Sequence, residues 1–201
     1  SRRDRIIPTY HRLPDEMSNK QGRRGVSKAE WFEAGLRALS EGGGAALSIE
    51  GLARSLGIAK AGFYWHFKNR DDLMQQLLDH WVGETTAVVT AAEELLALDP
   101  KARLIKTAEM VVDLDLTRYD MAIRQWALED ALVAQAVRKV DRLRSDFVRA
   151  AFAELGFTGD DLEMRTLLFL CHELGAAMLT GLSRERRRAL ITKRVELLTR
   201  Q

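Results

Sequence analysis

Proline, the residue least compatible with a helix interior, occurs at only three positions, Pro8, Pro14 and Pro100. The stretches 15–99 and 101–201 are therefore free of the strongest helix breaker. No alternation of apolar and polar residues lasts long enough to make a convincing strand, and no internal repeat or low-complexity segment is present. The chain is expected to be all-α. Its 201 residues, 46% of them hydrophobic, suffice for a real core and suit a small head joined to a larger body. The single cysteine, Cys171, excludes an internal disulfide, and four scattered histidines offer no CxxC or HExxH spacing, so neither metal nor cofactor is expected. No apolar run approaches the roughly 18 residues of a membrane span. The opening SRRDRIIPTYHRLPDEM lacks the apolar centre of a signal peptide, which leads us to expect a cytoplasmic protein with no membrane partner.

Helix signals divide the chain into three parts. Residues 1–26 mix Pro, Gly and charge without apolar periodicity and read as a flexible basic arm ending in GRRG. Residues 27–70 form the head. Ser27 and Glu30 make an S-x-x-E capping box before an amphipathic helix that EGGG at 41–44 stops. Ser48 caps a short helix to Leu56, Gly57 breaks it, and a second short helix runs from 59 to about 66. Two short helices joined by a tight Gly-containing turn make a helix-turn-helix. Asn69 then caps a long helix with Leu73, Leu77 and Trp81 on one face. Residues 71–201 form a helical body for ligand binding and dimerisation, with helices expected from Pro100 to about 117, and over 121–131, 133–155, 160–182 and 184–200.

Charge is unevenly shared. Residues 1–70 hold 13 Lys and Arg against 7 Asp and Glu, whereas the rest holds 18 against 22. A basic first third suggests a polyanion-binding end once a motif supports it. The motif is AGFYWHFKNR, residues 61–70. Phe63 and Phe67, four apart, suit a packing face, while Lys60 and Tyr64 share the opposite one. Ala61 and Gly62 are small enough for close approach to a duplex. Trp65 and His66 are expected to look outward, because adjacent helical residues cannot all face the core. Lys68 and Arg70 add cations where the next helix presents its N–H groups and positive dipole end, a favourable place for a phosphate. The expected partner is double-stranded DNA.

The stretch LSIEGLARSLGIAKAGFYWHFKNRDDL, residues 47–73, resembles the DNA-binding head of TetR-family transcriptional regulators. The resemblance implies that Ser48 supports the first short helix, that Lys60, Ala61 and Gly62 hold base-reading positions, and that Tyr64, Trp65, His66 and Arg70 hold positions for backbone and nearby contacts. It also implies a homodimer on operator DNA, released by a small-molecule effector of unknown identity, most often as a repressor. Two residues depart from the family pattern. Ala59 stands where a Ser or Thr helix cap is usual, and Glu50 stands where the family's namesake has a base-reading arginine. A glutamate accepts from cytosine N4 but repels phosphate, so the operator should differ.

In the body, Met110, Tyr119, Trp126, Met164, Phe169 and His172 are candidates to line an effector cavity between helices, although the same residue types fill ordinary cores. Cys171, His172 and Glu173 are consecutive and point apart on a helix, which disfavours catalysis or metal binding. Leu168, Gly175, Met178, Leu179 and Leu182 on one helix and Ile191, Val195 and Leu198 on the next form apolar stripes suited to a four-helix interface between two copies. Alternative readings are a helix-turn-helix that meets a partner protein and, with less support, a helical enzyme.

Overall fold

The computed structural model describes residues 25–200 apart from 91, 177, 180 and 181. The expected arm over 1–26 thus lies almost wholly outside the described residues. Among these there is no strand, and no helix is long and apolar enough to cross a membrane. The head begins with α1 (Lys28–Gly42), whose N-terminus is closed by the expected box: the Ser27 hydroxyl accepts from the Glu30 N–H at 3.3 Å and the Glu30 carboxylate accepts from the Ser27 N–H at 2.7 Å. Gly43, in the left-handed region at φ 66°, ends it by donating its N–H to the Leu39 carbonyl at 2.9 Å. One face of α1 carries Trp31, Phe32, Leu36 and Leu39 into the core.

Then come α2 (Ile49–Ser55), a turn over 56–59 that pivots at Gly57, a tight 3₁₀ segment at Lys60–Trp65, and α3 (Arg70–Thr85). Leu73, Leu77, Leu78 and Trp81 of α3 enter the same core as α1. The body comprises α4 (Ala87–Thr90), α5 (Ala92–Leu96), α6 (Pro100–Asp113), α7 (Asp120–Trp126), α8 (Ala131–Glu154), α9 (Gly159–Gly175), α10 (Arg184–Ala189) and α11 (Ile191–Leu198). Asp99 caps α6, with Pro100 at the first helical position where its missing N–H costs nothing. Asp130 caps α8 by accepting from the Leu132 and Val133 N–H groups.

Four helices are shorter than their sequence periodicity predicts, among them α7, which ends at Trp126 instead of 131. α6 ends at Asp113 instead of running to 117, because the chain reverses through Asp115 at φ 51°, a conformation Asp tolerates better than most residues. α9 stops at Gly175, seven residues before the predicted end, and the segment expected over 184–200 breaks at Leu190 into α10 and α11. Apolar periodicity survives such breaks, which is why it overruns them.

The head does not hang from α3 alone. Its core continues into Ile123 and Trp126 of α7 and Val133, Val137 and Val140 of α8. A Cβ on Gly44 would lie 2.9 Å from the Trp126 indole, so this glycine lets the loop after α1 seat on the body. A second core gathers Leu104 and Ala108 from α6, Val148 and Phe152 from α8, Phe169 from α9 and Ile191 and Val195 from α11.

Candidate nucleic-acid interface

The geometry of the reading segment begins at its supports. Ser48 caps α2, its hydroxyl accepting from the Gly51 N–H at 3.1 Å, and a Cβ on Gly51 would collide with that hydroxyl at 2.7 Å. At the other end the Gly57 N–H reaches the Arg54 carbonyl and the Ile58 N–H reaches the Ala53 carbonyl, the paired closure of a Schellman motif, with Gly57 at φ 67°. The chain therefore reverses over 56–59, with Gly57 as its left-handed pivot. Phe63 and Phe67 insert between α1 and α3, and Trp31 meets both rings edge on at 5.5 and 6.2 Å. Such contacts fix the azimuth of the segment as well as its depth.

With those two rings inside, the rest of the face is set. Lys60 and Ala61 are exposed, Tyr64 is 56% exposed and Trp65 87%. Ala59 begins the segment without a side-chain cap. Gly62 is small for a reason not foreseen: a Cβ there would stand 3.0 Å from the Ile58 terminal methyl, so the position accommodates the turn as well as a close neighbour outside. Lys60 is also not a free cation. Its ammonium pairs with the Glu50 carboxylate in the first turn of α2, which holds the carboxyl below and the ammonium above their usual ranges, each chiefly through the hydrogen bond to the other.

Two expected outward groups, His66 and Arg70, are used within the chain. His66 is half-buried and its Nε2 lies 2.7 Å from the Val26 carbonyl, fastening the chain that leads into α1. The Arg70 guanidinium donates to the carbonyls of Leu47 at 2.8 Å and Gly44 at 3.2 Å, in the loop between α1 and α2. Asn69 caps α3 by accepting from the Asp72 N–H at 2.9 Å, and the Asp72 carboxylate takes the Lys68 N–H at 2.8 Å. The cap takes the Asp72 N–H of the first turn of α3, and the Lys68 side chain remains exposed.

A cavity of about 40 Å³ lies in the body, walled by Thr85 at the end of α3, Val88, Thr107, Val111, Thr117, Arg144, Phe147, Val148, Phe169, Leu170, Glu173 and Leu174. Of the sequence candidates, Phe169 lines it. Trp126 instead fills the seam between head and body. Met110 packs half-buried in a small cluster with Ala87, Val88, Leu95 and Leu116. Tyr119 borders a separate depression with Glu33, His80 and Trp81 and donates its hydroxyl to Glu33 at 2.6 Å; burial and that carboxylate push its phenol up. Met164 and His172 face outward. Size and aromaticity drew those choices, whereas the polar lining comes from residues with no local signal. Arg144 grips both carboxylate oxygens of the buried Asp120 at 3.0 Å and bonds to Thr85, whose hydroxyl donates to the Leu116 carbonyl at 2.9 Å. The Thr107 hydroxyl is buried without a partner. Glu173 pairs with Arg194 of α11; burial pushes the carboxyl up and the guanidinium down.

The apolar stripes part company. Met164, Leu167, Leu168 and Cys171 are exposed along one face of α9, continued by Met178, Leu179 and Leu182 beyond it, with open space beside Gly175. Ile191 and Val195, expected at an interface, are buried in the second core at 3% and 0% exposure, and Leu198 packs against that core. The apolar face of α11 turns inward because α6 and α9 offer it partners within the same chain.

These features define an all-α helix-turn-helix protein whose second short segment presents an exposed face. Residues 32–77 match the family described as bacterial regulatory proteins, tetR family. A probable helix-turn-helix transcriptional regulator, ArpR from Pseudomonas putida, is 32% identical over 74 residues, 37% of this chain and 35% of that protein; the chain thus matches about a third of that relative's length. Two solved structures share the fold across nearly the whole chain. FadR from Bacillus subtilis, in complex with stearoyl-CoA, has a TM-score of 0.62 at 16% identity, covering 86% of this chain and 98% of that one. PfmR, a TetR-family regulator from Thermus thermophilus, has a TM-score of 0.60 at 19% identity, covering 84% and 96%. Residues 32–77 thus match the tetR-family model, and the chain shares its fold with these two solved regulators.

Proposed function

We propose that the protein is a dimeric, ligand-responsive transcriptional regulator that binds operator DNA through the segment Lys60–Trp65, acting as a repressor in the cytoplasm. The observation that carries this reading is the division of that segment. Phe63 is sealed in the core while Lys60, Ala61, Tyr64 and Trp65 are exposed, on a helix-turn-helix that the family match spans. A major groove admits such a segment, and its small residues let the backbone come close. The exposed apolar face of α9 supports pairing with a second copy, since monomers seldom leave so long a stripe uncovered. A dimer sets two reading segments for half-sites about 34 Å apart.

The body cavity supports effector binding, as does FadR's bound stearoyl-CoA. At about 40 Å³ it holds a few waters, so an effector must open it. Thr85 ends α3 and also forms cavity wall, giving occupancy a short mechanical route to the tilt of the helix that carries the head. Release from DNA follows if the effector favours a head spacing that does not fit successive groove turns. The test is an anisotropy titration of duplex DNA at several salt concentrations. Lys60→Ala and Tyr64→Ala should weaken binding with unchanged helicity and dimerisation. A flat salt dependence would favour a protein partner for the head, because phosphate contacts give a steep one.

A further inference from the structure

Glu50 is the anomaly of the reading face: a carboxylate, more than half exposed, placed in the first turn of α2 where it meets the ammonium at the start of the reading segment. Its side chain and that of Lys60 bond to each other on the surface, 10 positions apart in sequence. Against a phosphate this pairing is unproductive, since the carboxylate repels the group that the ammonium attracts. Against base edges it is complementary. In a G·C pair the guanine O6 accepts and the cytosine N4 amino group donates, and these two atoms are themselves bonded partners across the pair. An ammonium and a carboxylate already in contact present a donor beside an acceptor at the same kind of spacing.

Resting on the DNA-reading function proposed above, the geometry points to Glu50 and Lys60 acting as one intact unit that reads a G·C base pair in each half-site, Lys60 on guanine O6 and N7 and Glu50 on cytosine N4. A T·A pair in the same orientation also offers an acceptor beside a donor, but the thymine methyl crowds the ammonium and the adenine N7 acceptor faces the carboxylate. The reversed C·G pair puts donor against donor and acceptor against acceptor. Glu50 is thus a specificity-determining residue that lowers affinity for DNA in general. It cancels the Lys60 charge on non-operator sequence and releases that cost where cytosine satisfies it.

The experiment is selection from a random-sequence duplex pool by the full chain, followed by anisotropy on the selected duplex and on one fixed unrelated duplex. Wild type should enrich a G·C pair at one position per half-site, preferred over other pairs roughly 5- to 150-fold. Glu50→Ala should lose the preference at that position alone, bind the unrelated duplex more tightly, and steepen its log–log salt slope by about 0.9 per reading segment as Lys60 becomes free for a phosphate. The exchange Glu50→Lys with Lys60→Glu should select C·G there. If Glu50→Ala enriches the same consensus as wild type, or the exchanged pair keeps G·C, the paired readout is wrong while DNA reading stands. If wild type enriches no sequence and ignores duplexes at every ionic strength, the DNA-reading function falls with it.

Discussion

Phe63 is fully buried between Trp31, Phe67 and the α2 residues, and it is the side chain on which the reading face depends. Phe63→Ala should cost about 3–5 kcal/mol, visible as a lower urea midpoint, and should weaken DNA binding although the residue touches no DNA. Arg70 makes the opposite case. The family pattern implies DNA contacts at its position, yet its guanidinium spends two donors on the Leu47 and Gly44 carbonyls. Arg70→Ala should lower stability by about 1 kcal/mol, read as a drop in melting temperature without DNA present. A purely phosphate-binding arginine would leave that temperature unchanged.

Among the elements, α5 and α6 are held to the end of α8 by one buried cation. Arg103 is 3% exposed, bonds to both oxygens of Glu154 at 2.7 and 3.0 Å and donates to the Leu95 and Leu98 carbonyls. The Glu154 carboxyl is held low chiefly by that hydrogen bond. Arg103→Ala removes the buried partner of Glu154 and its bonds to the Leu95 and Leu98 carbonyls, so thermal unfolding should report a loss of about 2 kcal/mol. Replacing Glu154 instead leaves the guanidinium buried and uncompensated, and should cost more. The Arg144 cluster is arranged similarly, but it joins α3, α7 and α8 at the cavity wall. There a polar network has two uses, fixing the end of the helix that carries the head and exposing that end to whatever enters the cavity.

For the whole molecule, the α9 face is the test of assembly. Leu168 is half exposed, and its substitution by Glu should leave the fold and helicity intact while shifting the protein to monomers in sedimentation velocity. DNA affinity should then fall as well, because each reading segment would bind its half-site without the other's help. A variant that sediments as a dimer would place the interface elsewhere.

Local signals carried the head almost completely. The capping box at Ser27 and Glu30, the Ser48 cap, the Gly57 turn and the Phe63 and Phe67 spacing each act within a few residues, so the helix-turn-helix and its outward face follow from the order of the amino acids. The all-α class followed from scarce proline and absent alternation. Tertiary structure alone decided which apolar stripe stays exposed, since α9 and α11 carry similar periodicity and only packing against α6 and α9 buries Ile191 and Val195. It likewise decided that His66 and Arg70 bond to the backbone of Val26, Leu47 and Gly44, and that Glu50 meets Lys60. Arg144, Thr85 and Glu173 reach one cavity from separate helices. Periodicity states that a helix has an apolar face; what that face meets is fixed by contacts between residues far apart in the chain, and these leave no mark on local spacing.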